Sequence, residues 1–132
     1  ESVLTVSNGV KWMRDPTRGG VAAVIVELVD AQPYGAFVRE SAIPVRPEIA
    51  AVCELLGFDP LHLANEGKVV LVVRKNDADN VCRVLRNHPL GREAQIIGEI
   101  ISDGAGYVRA ETLSGGVRRL RQPAGELLPR IC

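Results

Sequence analysis

The chain has 132 residues, of which 46% are hydrophobic and 4% aromatic, and 16 basic residues balance 16 acidic ones. A chain of this length and composition can bury one hydrophobic core, which excludes intrinsic disorder. A net charge of zero gives no electrostatic case for binding nucleic acid or an anionic membrane, and so few aromatic residues argue against a base-stacking surface.

The first predicted element is a helix over residues 21–29, where nearly every side chain is apolar. A helix of this kind is buried on most sides. Asp15 or Thr17 can cap it, and Pro16 suits its first turn.

Seven further elements are predicted from hydrophobic periodicity and from the turn residues between them. The run at 68–73 is almost continuously β-branched, which is typical of a central strand. Asp103-Gly104-Ala105-Gly106 predicts a hairpin turn between the strands on either side of it. In chain order, the elements are a strand at 36–45, a helix from Pro47 to Gly57, a strand at 68–73, a helix from Asn76 or Asp77 that stops before Pro89, and strands at 94–101, 107–112 and 117–120.

Strands interleaved with helices predict an α+β domain with one mixed or antiparallel sheet and helices packed on one face. We expect this domain to occupy residues 15–121. Residues 1–14 are expected to form a linker, because the chain begins with Glu1 and reads as part of a longer protein. Residues 122–132 are expected to form a flexible tail.

Two of the three cysteines have a structural explanation. Cys53 and Cys82 each share an apolar helical face, where a free cysteine packs as a small hydrophobe. Cys132 has no such face, and a thiolate on a mobile tail can act as a nucleophile that moves between sites. The alternatives are an accidental terminal residue and half of an intermolecular disulfide. Free thiols suit a reducing compartment, so we expect a cytoplasmic protein. The face around Cys53 contains Ile49, Val52 and Leu56, and the face around Cys82 contains Ala78, Val81 and Leu85.

Two polar motifs are candidate binding sites. Thr17-Arg18-Gly19-Gly20 at a helix start can bind an anion through backbone N–H groups, with Arg14 and Arg18 adding charge. The alternative is a glycine turn that lets a buried helix pack closely. In Ala64-Asn65-Glu66-Gly67-Lys68, Glu66 can act as a base and Asn65 can orient a carbonyl, or the motif is an ordinary polar turn.

The two histidines, His62 and His88, are isolated from other ligand residues, so we predict no metal site. His88 fits a helix end, and His62 is interpreted as a loop residue rather than a catalyst.

Three segments carry a family resemblance. Arg14-Asp15-Pro16-Thr17-Arg18-Gly19-Gly20, Ala64-Asn65-Glu66-Gly67-Lys68 and the ending Pro129-Arg130-Ile131-Cys132 occur in this order. The chain resembles, from about Val10 onward, the HypE family of carbamoyl dehydratases of [NiFe]-hydrogenase maturation. The ending is the most specific element. The glycine motif alone points only to the superfamily of aminoimidazole ribonucleotide synthetase, selenophosphate synthetase and thiamine-monophosphate kinase.

The resemblance implies that the chain is the carboxy-terminal α+β domain of a longer, homodimeric protein. The missing amino-terminal domain would supply most of the site for ATP and Mg²⁺. The carbamoyltransferase HypF would place a carbamoyl group on Cys132, and ATP-dependent dehydration would leave a thiocyanate. The cyanide would pass to iron on the HypC–HypD complex.

The resemblance also implies roles for the motif residues. Glu66 is the candidate base, and Asn65 or Arg18 would hold the carboxamide or phosphate. The chain alone should lack ATP turnover, and the surface that meets the missing domain should favour self-association. Two other readings remain open: a non-catalytic thiol carrier or docking module, and a domain of another ATP-dependent synthetase. The remaining candidates for binding substrate or phosphate are Arg14, Asp15, Thr17, Gly19, Gly20 and Lys68.

Overall fold

Six strands and three helices lie in residues 9–122, the part of the chain that the computed structural model describes. Three short 3₁₀ turns separate some of them, at Glu40–Ala42, Pro60–His62 and Lys75–Asp77. The described chain is α+β, as predicted. The elements are β1 Val10–Arg14, α1 Gly20–Val29, β2 Gly35–Arg39, α2 Pro47–Leu56, β3 Val70–Val73, α3 Ala78–Arg86, β4 Gly98–Ile101, β5 Val108–Glu111 and β6 Val117–Leu120.

The strands form two sheets, so the expectation of one sheet is wrong. Four strands pair in the order β4-β2-β5-β6, and β1 pairs with β3 in a separate antiparallel ribbon. Strand β2 lies antiparallel to β4 and parallel to β5, while β5 and β6 form an antiparallel hairpin around Ser114-Gly115-Gly116. Strands β2 and β4 are also shorter than predicted, because a 3₁₀ turn comes directly after β2 and strand pairing begins only at Gly98.

The turn at 103–106 does not close a hairpin between β4 and β5, because β2 lies between those strands. Instead the turn packs on the start of β2, where the Gly106 N–H donates to the Tyr34 carbonyl oxygen at 3.0 Å. The apolar side chains Ala36 and Val38 are buried in this position. Burial of β2 in the middle of the sheet therefore overrides the local hairpin signal.

Strand β3 is wrongly predicted as a central strand. Among the described residues it pairs only with β1, in a register that aligns Trp12 with Val72 and Arg14 with Val70. Its side chains are half-buried, and the preceding Val69 is 52% exposed. A β-branched run indicates a strand, but it does not specify how many neighbours that strand has.

The core lies between α1 and the four-stranded sheet. Helix α1 is buried along most of its length, as its composition predicts. Its predicted cap is wrong: Gly19 is the N-cap residue, no side chain caps the helix, and Pro16 lies before the first turn. The buried core residues are Ala22, Ile25, Val29, Ala36, Val38, Leu61, Val108, Ala110 and Leu120.

Helix α2 has the predicted bounds, and Gly57, whose φ is +70°, is the C-cap residue directly after it. Cys53 is buried, as expected, but its three companions on the predicted stripe, Ile49, Val52 and Leu56, are each 45–56% exposed. The apolar face of α2 thus has no cover within residues 9–122. On α3, Cys82 is buried as predicted, and the N-cap residue Asp77 makes no side-chain capping bond.

Candidate functional site

The glycine turn before α1 packs tightly against another loop. Gly19 and Gly20 both have left-handed backbones, with φ of 66° and 68°. A Cβ atom on Gly20 would lie 2.6 Å from the Leu63 carbonyl oxygen and closer still to that of Leu61. Glycine is therefore required for α1 to start against the Pro60–His62 turn, which supports the close-packing interpretation of this motif. Anion binding there stays a prediction.

The two polar motifs meet in the structure. The backbone N–H of Asn65 donates to the Pro16 carbonyl oxygen at 3.1 Å. This bond joins the loop before α1 to the loop before β3, although about fifty residues separate them along the chain. The candidate site residues therefore lie on two adjoining loops, each held by a sheet or a buried helix, which is a common arrangement for binding residues.

The first loop contains a local carboxylate–hydroxyl pair. The Thr17 hydroxyl donates to the Asp15 carboxylate. This bond is the main reason that the pKa of Asp15 lies below its usual value, with a backbone hydrogen bond and the charge of Arg14 acting in the same direction. Both side chains are thus engaged with each other instead of capping α1.

The arginines of the first motif differ in their surroundings. Arg14, at the end of β1, makes an ion pair of 3.1 Å with Glu27 on α1, and both side chains are largely exposed. Arg18 is exposed and makes no ion pair with any residue in 9–122. Arg18 is therefore the cation of this loop that is available to an anion.

The second loop contains a lysine that bonds to a neighbouring side chain and a glutamate that does not. The Lys68 ammonium donates to the Asn65 side-chain oxygen at 3.0 Å. The Glu66 carboxylate is exposed and has no hydrogen-bond or ion-pair partner within the described chain. A carboxylate without internal partners can accept a proton from a bound group.

The second motif and Pro16 of the first motif border a large open groove of about 1980 Å³. Pockets for small molecules usually measure roughly 300–1,000 Å³. Asn65, Glu66 and Lys68 lie on its wall, as does Pro16, and strands β2 and β3 and helices α1 and α3 contribute apolar side chains. The groove is therefore larger than a typical small-molecule pocket.

A charged network that no sequence motif predicted links the Pro60–His62 turn to strand β6. Arg118 on β6 bonds Glu40 at 2.6 Å and Asp59 at 2.5 Å, and His62 Nδ1 lies 3.3 Å from the same carboxylate of Asp59. Partial burial disfavours the charge on Arg118, but the bonds to Glu40 and Asp59 outweigh it, and the pKa of the guanidinium is raised. The i, i+3 spacing of Asp59 and His62 was the only signal available in the sequence.

Cys132 lies outside the described residues. Within 9–122, no group of three or more His, Cys, Asp or Glu side chains is arranged to hold a metal ion. The helices of this part of the chain are also too short to span a membrane.

A known domain family matches most of the chain. The chain belongs to the family of the AIR synthase related protein, C-terminal domain, which matches residues 1–111.

Individual proteins of known family also resemble this chain over nearly its whole length. The chain is 49% identical to the carbamoyl dehydratase HypE of Cupriavidus necator over 130 residues, which cover 98% of this chain and 37% of that protein. The crystal structure of E. coli HypE, 48% identical, superposes with a TM-score of 0.89 and covers 98% of this chain and 40% of that one. The chain thus spans less than half the length of these relatives.

Two other solved structures are similar over this region. A HypE–HypF complex is 38% identical with a TM-score of 0.86, and covers 93% of this chain and 40% of that one. The hydrogenase maturation protein HypE in complex with ATP is 40% identical with a TM-score of 0.85. The match covers 94% of this chain and 38% of that one.

Proposed function

We propose that this chain is the carboxy-terminal domain of an ATP-dependent carbamoyl dehydratase that makes the cyanide ligands of [NiFe] hydrogenase. The observation that supports this most is the hydrogen bond between Asn65 and Pro16, which brings together two of the motifs that carry the resemblance to the HypE family. The similarity to HypE over nearly the whole chain is the second support.

The chemistry centres on the thiol of Cys132. Its sulfur loses a proton and attacks the carbonyl carbon of a carbamoyl donor, the bond from that carbon to the donor's leaving group breaks, and the sulfur carries an S-carboxamide. Transfer of a phosphoryl group to the carboxamide oxygen makes that oxygen a leaving group, and loss of phosphate and of the amide protons leaves an S-cyano group. Sulfur suits both the first and the last step, because a thiolate is a strong nucleophile and also a good leaving group. The S–C bond breaks to give back the thiolate as an electron-rich iron centre supplies the electron pair of the new Fe–C bond.

The described residues supply complementary groups. Glu66 is the proposed base for an amide proton, because its carboxylate is exposed and has no internal partner in residues 9–122. Arg18 is the proposed contact for phosphate, with the backbone of Gly19-Gly20 beside it. Asn65 and Lys68, already bonded to each other, are proposed to hold the carboxamide or phosphate.

The remaining candidate binding residues are proposed to shape the site. Arg14 is partly neutralised by Glu27, and Asp15 and Thr17 bond to each other. We infer that these residues shape the phosphate-binding loop more than they contact the phosphate. ATP supplies the phosphoryl group when it is bound, and the cations of the two loops fit its charge. We propose that Mg²⁺ and most of the nucleotide site lie in an amino-terminal domain outside this chain.

A different observation supports each of the first two proposed partners. We propose that the amino-terminal domain covers part of the large groove, whose volume exceeds that of a nucleotide pocket. HypF is the proposed carbamoyl donor protein, since a HypE–HypF complex is among the similar structures. The HypC–HypD complex is the proposed acceptor of cyanide, and the full-length protein is proposed to be a cytoplasmic homodimer.

The test is intact-protein mass spectrometry of the full-length protein incubated with HypF, carbamoyl phosphate and ATP. We expect a carbamoyl adduct on Cys132 that then loses the mass of one water. Cys132→Ser should prevent the adduct. No adduct on Cys132 under conditions where HypF is active would contradict the proposal and favour another ATP-dependent synthetase.

Glu66→Gln tests the base. General-base catalysis contributes about 10²–10⁴-fold, so the adduct should form at the normal rate and lose water at least about 10²-fold more slowly. Glu54→Gln, on the exposed side of α2, is the matched control and should change neither rate. Normal dehydration by the Glu66 variant would remove that residue from the mechanism.

A further inference from the structure

The imidazole of His62 links the charged network to the backbone just after β6. Its Nε2 lies 3.3 Å from the carbonyl oxygen of Arg121, and its Nδ1 lies 3.3 Å from Asp59. Only 15% of the side chain is exposed. A carbonyl oxygen accepts but does not donate, so the hydrogen of this bond belongs to Nε2.

Asp59 is itself held in place from two directions. One carboxylate oxygen accepts the backbone N–H of Leu61 at 2.9 Å. The other oxygen, which also faces His62, bonds the Arg118 guanidinium, and Arg118 in turn bonds Glu40. The ring of His62 therefore projects from a turn fixed by charge-assisted bonds to the sheet.

The position of Arg121 matters because the segment that carries Cys132 begins there. Leu120, the last residue of β6, is 3% exposed and belongs to the core, whereas Arg121 is exposed. Eleven residues lie beyond Arg121 and end at Cys132, and such a segment spans at most about 40 Å. The point from which this segment starts therefore limits where the thiol can go. The Pro60–His62 turn that holds this point also packs against Gly20.

We propose that His62 is a positioning residue that fixes the start of the segment carrying Cys132 relative to the glycine turn before α1. It acts through the backbone of Arg121 and does not touch the reacting atoms. The catalytic consequence rests on the proposed function, but the contact between His62 and Arg121 does not.

Trypsin cleavage tests the contact in the full-length protein. Trypsin cuts after arginine and must take the arginine carbonyl oxygen into its oxyanion hole. The bond from His62 has to open before the Arg121–Gln122 bond can be cut. Cleavage at Arg130–Ile131, monitored in the same molecule by mass spectrometry, is the internal reference.

Paired substitutions separate the two sides of the ring. His62→Gln keeps a donor near the Nε2 position and should leave the ratio of the two cleavage rates unchanged. His62→Asn keeps a group near Nδ1 only, and should raise relative cleavage at Arg121 about 2- to 12-fold, as expected for one lost hydrogen bond. His88→Asn, at the other histidine, is the matched control and should have no effect. An unchanged ratio in His62→Asn, or an equal rise in His62→Gln, would overturn the proposal.

The positioning role has its own readout. In the single-turnover mass assay, His62→Asn should slow ATP-dependent loss of water from carbamoylated Cys132 without changing the ATP concentration for half-maximal rate, and His62→Gln should restore the rate. An unchanged rate in His62→Asn would overturn the positioning role. If the wild-type protein forms no adduct on Cys132, both the proposed function and the positioning role are wrong. The ratio of the two trypsin cleavage rates still tests the contact between His62 and Arg121.

Discussion

Substituting Gly20 by alanine should destabilise the fold more than an ordinary glycine substitution does. The left-handed backbone at this position costs a non-glycine residue about 1–2 kcal/mol. The new methyl group would also lie 2.6 Å from the Leu63 carbonyl oxygen, and backbone atoms cannot move aside as a side chain can. Overpacking of this kind costs about 1–3 kcal/mol, so we expect a total loss of about 2–5 kcal/mol in the free energy of unfolding.

Gly57→Ala is the matched control. Gly57 has nearly the same φ, +70°, but no atom lies within 4 Å of the position of its Cβ. The free energy of unfolding of Gly57→Ala should therefore fall by only about 1–2 kcal/mol, which is the cost of the left-handed backbone. Urea unfolding of the 132-residue chain, monitored by the fluorescence of its single tryptophan, Trp12, measures both variants. Equal losses in the two variants would refute close packing as the reason for glycine at position 20.

Three further predictions concern charge and exposure. Arg118→Ala should lower the free energy of unfolding by about 1 kcal/mol, less at high salt, because the side chain is partly exposed; urea unfolding at two salt concentrations checks this. Thr17→Val should raise the pKa of Asp15 towards 3.8 in an NMR titration, and Thr17→Ser should not. Because that pKa is lowered in the folded protein, the stabilisation it represents is complete above the usual value and is lost as the pH falls through the folded value. Leu55→Ser, at a side chain 84% exposed, should reduce self-association in sedimentation while changing stability by less than about 0.5 kcal/mol, whereas Leu120→Ala should cost about 2–5 kcal/mol.

Local patterns predicted the elements better than their arrangement. The buried helix α1, the bounds of α2 and the β5–β6 hairpin all depend on residues close together in the chain. The sheet order does not, because Ala36 on β2 pairs with Val108 on β5 and no local signal encodes that partner. The exposed face of α2 was also missed, since periodicity shows that a face is apolar but not that this part of the chain covers it.

In the candidate site too, the local motifs could be predicted from the sequence and the long-range contacts could not. The motifs around Gly20 and Glu66 could be found from residue type and from resemblance. Their contact through Asn65 and Pro16 requires the fold. Arg118 lies 59 and 78 positions from its two carboxylate partners, so the network that includes His62 was beyond sequence reasoning.

The order of the strands also bears on how the protein folds during synthesis. Strand β2 is made early, but its neighbours β4 and β5 are translated only after most of the domain has emerged from the ribosome. Until then α1 and β2 expose apolar surface with no sheet to cover it, and such long-range pairing is slow. We therefore expect a nascent chain halted before Val108 to depend on chaperones and to resist proteases poorly. Release of the chain past Leu120 should make the domain compact in a single late step.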